Sequence, residues 1–186
     1  MAKSDEQVEA QLFRTRAGWC WLAGMRGELR GSSLPHGSKK EALTNLRVAF
    51  PAHSMVSACF SELQEALVQY FDGESVSFRV RCDWSRVTSF QKDVYQALRR
   101  VRSGQLVTYG ELAQRAGHPG AARGVGVAMA RNPFAPFVPC HRVVASGGSL
   151  GGFSAAGGLD TKRLMLELEG HELTEAGVVT SDIRGR

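Results

Sequence analysis

Four cysteines in 186 residues is a small number, and no two of them stand as C-x-x-C. Cys20, Cys59, Cys82 and Cys140 lie far apart. That spacing argues against a zinc ribbon or finger and gives no basis for a disulfide framework. Any apolar run near the ~20 residues that cross a bilayer is also missing. The first residues, Met1 to Glu6, carry charge with no apolar stretch behind them, so no secretory signal is expected. Repeats and low-complexity tracts are absent. With 43% hydrophobic and 22% charged residues, the composition excludes a mainly disordered chain. What remains is an intracellular globular protein, cytoplasmic or nucleoid-associated, neither secreted nor membrane-bound. Its length suits one large domain or two small ones.

The net charge of +5 is unevenly placed. Residues 1–86 hold 11 basic and 10 acidic side chains, whereas residues 87–170 hold ten and five, and 171–186 hold two and three. The excess therefore lies in the middle segment. A basic module of this kind suits a polyanion partner, or is simply a solvated basic face. The boundaries expected from composition and pattern are an α/β domain at 1–86, a mainly helical domain at 87–170 and a tail at 171–186.

In the first part, residues 18–25 are short and aromatic-rich, as a strand should be, with a turn at Arg26-Gly27 and a return strand from Glu28. Residues 31–40 read as an exposed loop. Phe60, Leu63, Leu67, Tyr70 and Phe71 recur at helical spacing, which predicts a helix over about 57–71 stopped by Asp72-Gly73. The alternation across Val76–Cys82 predicts another strand. Trp19, Trp21 and Trp84 all fall here, and core packing is the more frequent use of such residues than a binding platform.

From Ser85 the pattern turns helical. Thr88-x-x-Gln91 and Thr108-x-x-Glu111 are capping boxes, each opening a helix. Gly117 ends the second helix, and Pro119 is a natural first residue for a third that runs to about Arg131. Two helices joined by a short glycine turn form a helix-turn-helix candidate, although ordinary helix pairs share the pattern. The third helix carries two internal glycines, Gly124 and Gly126, each costing roughly 1 kcal/mol against alanine. A slim face explains them, offered either to a DNA backbone or to a neighbouring helix. Arg123 is the one long side chain in that run.

The run Phe137–Val144 is the most informative stretch. Cys140 stands between Pro139 and His141 among apolar residues. A nucleophilic thiol needs a base or a positive environment, because its ordinary pKa near 8.5 leaves only a few per cent thiolate. His141 is adjacent in sequence but points elsewhere on a regular element, so contact with Cys140 needs a water; a structural cysteine is the alternative. Residues 145–158 contain six glycines together with Ser146, Ser149 and Ser154. Such a loop either brings backbone N–H groups to a ligand or is a plain connector. Leu159–Glu169 reads as a helix with Leu164 and Leu168 on one face and Gly170 as its cap. Glu169 then sits at a helix C-terminus, where a carboxylate is disfavoured by roughly 0.3–1 kcal/mol. It is either a surface residue or a group placed there to orient His141.

From about Phe90 to Gly170 these motifs resemble the O6-alkylguanine–DNA alkyltransferase family. The carriers are Val107–Ala113, Ala121–Gly126, Arg131-Asn132-Pro133, Pro139-Cys140-His141-Arg142-Val143, and Gly158, Lys162, Leu166 and Glu169-Gly170. The resemblance implies a ribonuclease-H-like α/β domain followed by a winged-helix-like domain with a helix-turn-helix. It implies that Cys140 accepts an alkyl group from O6-alkylguanine, and possibly O4-alkylthymine, in double-stranded DNA. His141 takes the thiol proton through a water, Glu169 holds His141, Tyr109 donates to the departing guanine, and Asn132 braces the turn before the cysteine. Arg123 fills the stack behind a flipped base, with Ala121, Ala122 and Gly124 alongside it on the DNA. Met129, Val143, Phe153 and the Ser154 loop line the pocket.

Phe153 stands where some members have tyrosine. Some members bind zinc in the N-terminal half, but Cys20, Cys59 and Cys82 form no ligand set with His36 or His53, so neither metal nor cofactor is expected. A monomer with no obligate protein partner is expected as well. The rival readings are a damage sensor that flips bases without transfer, and a cysteine hydrolase using Cys140 and His141.

Overall fold

The computed structural model describes residues 7–177 and 179. The chain forms two compact units that divide between Arg86 and Val87. The first is α/β, built on a mixed four-stranded sheet, and the second is mainly helical. Among the described residues, no helix is long and apolar enough to cross a membrane.

The first unit is ordered β3-β2-β1-β4. Strands β1 (Val8–Thr15), β2 (Gly18–Met25) and β3 (Glu28–Ser32) form an antiparallel meander, and β4 (His53–Met55) adds parallel to β1. The turn at Arg26-Gly27 has φ values of 53° and 74°, the primed geometry whose twist suits a hairpin. Helix α1 (Lys39–Ala49) is capped by Ser38. It packs Ala42 and Leu46 against Val8, Ala10, Trp21 and Ala23. Trp21 is core, meeting Phe50 edge-to-face, while Trp19 is only half-buried.

Three expectations for this unit need correction. Residues 31–35 are buried rather than an exposed loop. The chain there runs beside β2, with Ser33 N–H donating to the Trp21 carbonyl. The second helix, α2, spans Ser61–Phe71 and starts later than the apolar spacing suggested. It has no side-chain cap of its own; instead the Gln11 carboxamide oxygen on β1 accepts from the N–H groups of Cys59 and Phe60. Residues 76–81 are not a strand. Burial alternates along them as the sequence pattern implied, but pairing is confined to one bridge between Leu29 and Cys82.

In the second unit both capping boxes form. Thr88 opens α3 (Ser89–Leu98) and Thr108 opens α4 (Tyr109–Arg115). Helix α4 ends in a Schellman closure: the Gly117 and His118 N–H groups donate to the Gln114 and Ala113 carbonyls, and Gly117 sits at φ 81°. Pro119 lies in the turn that follows, not in a helix, and α5 spans Ala122–Ala130. The α4–α5 pair has the helix-turn-helix arrangement, with α3 packed against both. On α5, Gly124 faces α3. A Cβ there would stand 3.1 Å from the Phe90 ring, so helix packing is one reason for that glycine.

A short parallel pair, β5 (Val107–Thr108) with β6 (Val143–Val144), joins the start of α4 to the segment after Cys140. Helix α6 (Gly158–Leu168) closes the unit and ends in a second Schellman closure at Gly170. Its buried face is Lys162, Met165 and Leu166 rather than Leu164, which is exposed, or Leu168, which is half-buried.

Tyr95 ties α3 to α5. Its ring is fully buried and its hydroxyl donates to the Ala128 carbonyl at 2.8 Å. Replacing Tyr95 by Phe removes one of two hydrogen bonds that the Ala128 carbonyl accepts, the other coming from the Arg131 N–H, and a loss of about 1 kcal/mol in urea unfolding is expected.

Candidate functional site

The 3-10 turn Cys140–Arg142 presents the cysteine directly after the Pro139 bend, between the buried run 134–139 and strand β6. Asn132 fastens the approach to it. Its side-chain nitrogen donates to the Val138 carbonyl at 2.8 Å, and its oxygen accepts from the Phe134 N–H at 3.0 Å. Both halves of one amide are spent on holding the bend that follows helix α5.

His141 is 1% exposed, and its Nε2–H donates to Glu169 Oε1 at 2.8 Å. With that proton on Nε2, Nδ1 is the basic nitrogen of the neutral ring. Glu169 also meets Arg142, whose Nε donates to Oε2 at 2.9 Å and Nη2 to Oε1 at 2.8 Å. The remaining Arg142 nitrogen, Nη1, donates to the Val101 carbonyl at 2.7 Å. The Glu169 side chain is 1% exposed, so the surface alternative for this residue is wrong. Its place at a helix end is compensated by a bidentate guanidinium.

The electrostatics follow from these contacts. Burial opposes ionisation of Glu169, but hydrogen bonds and charge from His141 and Arg142 hold its carboxyl well below the usual range. Burial pushes His141 below its ordinary value, although Glu169 acts the other way. Burial also raises the Cys140 thiol, opposed by Asn132, by the Lys162 charge and by local backbone groups. The resting site is therefore a neutral thiol and a neutral imidazole beside an ionised, guanidinium-bound carboxylate. Burial likewise pushes Cys20 up to about 12 and Cys59, which is only half-buried, up to about 11. All four cysteines are unbridged. Among the described residues, no group of three or more His, Cys, Asp or Glu is placed to hold a metal ion.

Lys162 was not singled out from sequence as a site residue. Its ammonium is fully buried, donating to the Val143 carbonyl at 2.6 Å and to the Leu150 carbonyl, and it lies 5.8 Å from the Phe153 ring. Burial lowers its pKa to about 8, with the Cys140 charge acting the other way. A signal existed. Lys162, Met165, Leu166 and Glu169 recur at i, i+3, i+4 and i+7, so a lysine occupies the inward stripe of α6. Arg142 was visible only as part of the Cys-His-Arg run.

The remaining expected site residues all lie in the second unit. Tyr109 begins α4, half-buried, and burial followed by the Cys140 charge raises its phenol. It therefore stays a hydrogen-bond donor at neutral pH. Arg123 is exposed on α5, with Ala121, Ala122 and Gly124 half-buried beside it. Met129 and Phe153 are half-buried. Ser154 places its hydroxyl on the Ala130 carbonyl at 3.1 Å, linking the glycine-rich loop to the end of α5. Val143 is fully buried, paired with Val107 across β5 and β6.

Comparison with known proteins shows the family. A family model described as "6-O-methylguanine DNA methyltransferase, DNA binding domain" matches residues 89–171. A methylated-DNA–protein-cysteine methyltransferase of Mycobacterium leprae is 42% identical over 145 residues, covering 74% of this chain and 84% of that protein. One from Methanosarcina acetivorans is 47% identical over 111 residues, covering 60% and 69%. The crystal structure of Mycobacterium tuberculosis OGT in complex with DNA superposes with a TM-score of 0.72 at 36% identity, covering 87% of this chain and 92% of that one.

Replacing Glu169 by Gln leaves the Arg142 guanidinium buried without its counter-charge. A cost of about 3 kcal/mol in urea unfolding is expected, not the near-neutral change that a helix-end charge alone would imply. The pH dependence has a definite sign. The depressed Glu169 carboxyl contributes stability at neutral pH that is lost as pH falls below the ordinary carboxyl value of 4.5. The depressed His141 adds an earlier decline below 6.5, where the unfolded chain takes up a proton that the buried ring refuses. In Glu169→Gln the early decline should persist and the later one should shrink, as read from melting temperature against pH.

Proposed function

The chain belongs to the methylated-DNA–protein-cysteine methyltransferase family, and on that premise we propose that it repairs DNA by taking the alkyl group from O6-alkylguanine onto Cys140, once per molecule. The observation that carries this reading is the bonding of His141, the residue next to Cys140 in the 3-10 turn, to the buried Glu169–Arg142 pair, in the same unit as a helix-turn-helix.

An O6 adduct inside a duplex is out of reach of a buried thiol, so the nucleotide has to leave the stack. Helix α5 sits in the minor groove, with Ala121, Ala122 and Gly124 allowing close approach and Arg123 occupying the vacated position. The net charge of +5 on residues 87–170 supplies phosphate attraction. In the pocket, lined by Met129, Val143, Phe153 and the Ser154 loop, the alkyl carbon faces the sulfur.

The thiol is protonated at rest, so a base must act. His141 takes the proton at Nδ1 through a water, and the Glu169 carboxylate stabilises the imidazolium that results. The sulfur electron pair forms the S–C bond while the C–O6 bond breaks, and its electron pair passes to the guanine. The Tyr109 phenol donates to the base as that charge develops. The product is a thioether, which has no proton to lose and no leaving group under these conditions, so the chain is consumed. O4-alkylthymine presents the same carbon–oxygen bond and is a second substrate. Neither metal nor cofactor enters these steps.

The β3-β2-β1-β4 order, with an antiparallel meander and a parallel fourth strand, supports reading the N-terminal unit as ribonuclease-H-like. The second unit reads as winged-helix-like. The protein works as a monomer wherever the cell keeps its DNA.

Intact mass after incubation with duplex DNA holding O6-methylguanine is the direct test. A gain of one methylene on the Cys140 peptide, absent in Cys140→Ser although that variant still binds DNA, is the expected result. Binding without a mass change would indicate a damage sensor, and turnover beyond one event per chain would indicate a hydrolase. A second measurement concerns Arg123. Arg123→Ala should slow repair of duplex DNA by roughly tenfold or more while sparing reaction with the free alkylated base, since a free base needs no flipping. Equal losses on the two substrates would remove the intercalating role.

A further inference from the structure

After helix α6 the chain folds back on the glycine-rich loop. Gly177 N–H donates to the Thr174 carbonyl at 2.9 Å, closing a turn, and Leu173 bridges to Val179. This turn grips the loop through two backbone bonds. Leu150 N–H donates to the Gly177 carbonyl at 3.2 Å, and Val179 N–H donates to the Gly148 carbonyl at 3.0 Å. Leu150 and Val179 are buried together with Leu106, Val144 and Leu166. From α6, Arg163 donates to the Thr174 and Glu175 carbonyls at 3.1 and 3.3 Å, fastening the turn to the helix.

The other side of Leu150 is also held, because its carbonyl accepts from the buried Lys162 ammonium. The peptide groups on both sides of Leu150 are thus fixed from two directions. The next residue, Gly151, has φ +67° and lies against Tyr109. A Cβ there would stand 3.0 Å from the phenol oxygen and 3.4 Å from Cε2. The contacts form one line: Gly177 to Leu150, Leu150 to Gly151, Gly151 to the Tyr109 ring. The family match ends at residue 171, so the residues that make the grip lie beyond it.

We propose that the C-terminal turn (residues 171–177 and Val179) is a positioning element for alkyl transfer, fixing the Leu150–Gly151 backbone so that the Tyr109 phenol is held where it meets the departing guanine. This rests on the reading of Cys140 as acceptor and Tyr109 as donor to the base. The turn acts on the phenol rather than on the thiol. Burial, Asn132, the Lys162 charge and the local backbone set the thiol's acidity; among the described residues the turn makes no hydrogen bond to Asn132 or Cys140, and Lys162 keeps the Val143 carbonyl when the turn is loosened.

Two changes to the full chain test it. Arg163→Ala removes the two donors that fasten the turn, and deletion of residues 172–186 removes the turn itself. Single-turnover methyl transfer from duplex O6-methylguanine DNA gives the maximal rate and the DNA affinity separately. Alkylation of Cys140 by iodoacetamide across pH 6–10 gives the thiol's own reactivity.

A displaced phenol should lower the maximal transfer rate by roughly tenfold in the deletion and severalfold in Arg163→Ala. DNA affinity and the iodoacetamide profile should stay within about twofold. In a Tyr109→Phe background, Arg163→Ala should cause no further loss, because the group it positions is gone. An unchanged transfer rate, a parallel fall in iodoacetamide reactivity, or losses that add in the double variant would each overturn the proposal. If the deleted chain does not fold, Arg163→Ala and its cycle with Tyr109→Phe decide alone. If the unmodified chain transfers no methyl group, the alkyltransferase reading fails first and the proposal with it; if it transfers and the variants match it, only the positioning role fails.

Discussion

A carboxylate with almost no exposure has to stay ionised, and the second unit is arranged around that requirement. Glu169 keeps its charge because Arg142 meets it with two nitrogens while a third reaches the Val101 carbonyl at the end of the α3 segment. The same carboxylate oxygen that accepts from Arg142 also accepts from His141. One acid thereby links helix α6, the 3-10 turn bearing the cysteine and the chain leaving α3. Desolvating a carboxylate and a guanidinium is expensive, and such a pair adds less net stability than its contacts suggest. What the pair secures is orientation, since a neutral imidazole whose Nε2–H is fixed has one nitrogen left for taking a proton.

Burial then favours the protonated, less reactive form of this thiol at rest. A permanently ionised Cys140 would be exposed to every small electrophile and oxidant, because the thiolate is the reactive form. The structure keeps it protonated by desolvation and places countervailing groups nearby, with Asn132, the Lys162 charge and backbone bonds all acting to lower the pKa. On the proposed mechanism, deprotonation is deferred to the moment when His141 can accept the proton. Lys162 belongs to the same economy of charge. A buried ammonium needs acceptors, and it takes two carbonyls, one on β6 and one on the glycine-rich loop.

The capping boxes and the hairpin turn, which act over three or four residues, form in the structure, whereas Pro119 marks a turn and not the helix start its position suggests. The boxes at Thr88 and Thr108 and the Arg26-Gly27 turn formed as their spacing implied, since each is satisfied by its own neighbours in sequence. Signals that depend on a distant partner misled. Ser33, Leu34 and Pro35 look like loop residues, yet the chain at 31–35 is buried, with Ser33 bonded to the Trp21 carbonyl. Residues 76–81 alternate as a strand does and bury alternately, but β3 offers them only a single bridge. The inward face of α6 was placed on its leucines because apolar residues usually mark that face. A charge pattern, Lys162 with Glu169, marked it instead.

By itself the sequence determined the starts of α3 and α4, the helix-turn-helix spacing and the run Pro139-Cys140-His141-Arg142, with the glycines and the Glu169-Gly170 end that make the alkyltransferase resemblance. These are properties of residue type and short separation. Only the tertiary structure decided that Glu169 is buried and shared, that Lys162 sits inside the second unit, and that residues after 171 return to hold Leu150. Each of those is a contact across a separation in sequence of between twelve and about thirty residues. A helix-end carboxylate reads as a surface charge until something folds over it, because desolvation is set by the groups that surround a residue rather than by those that flank it.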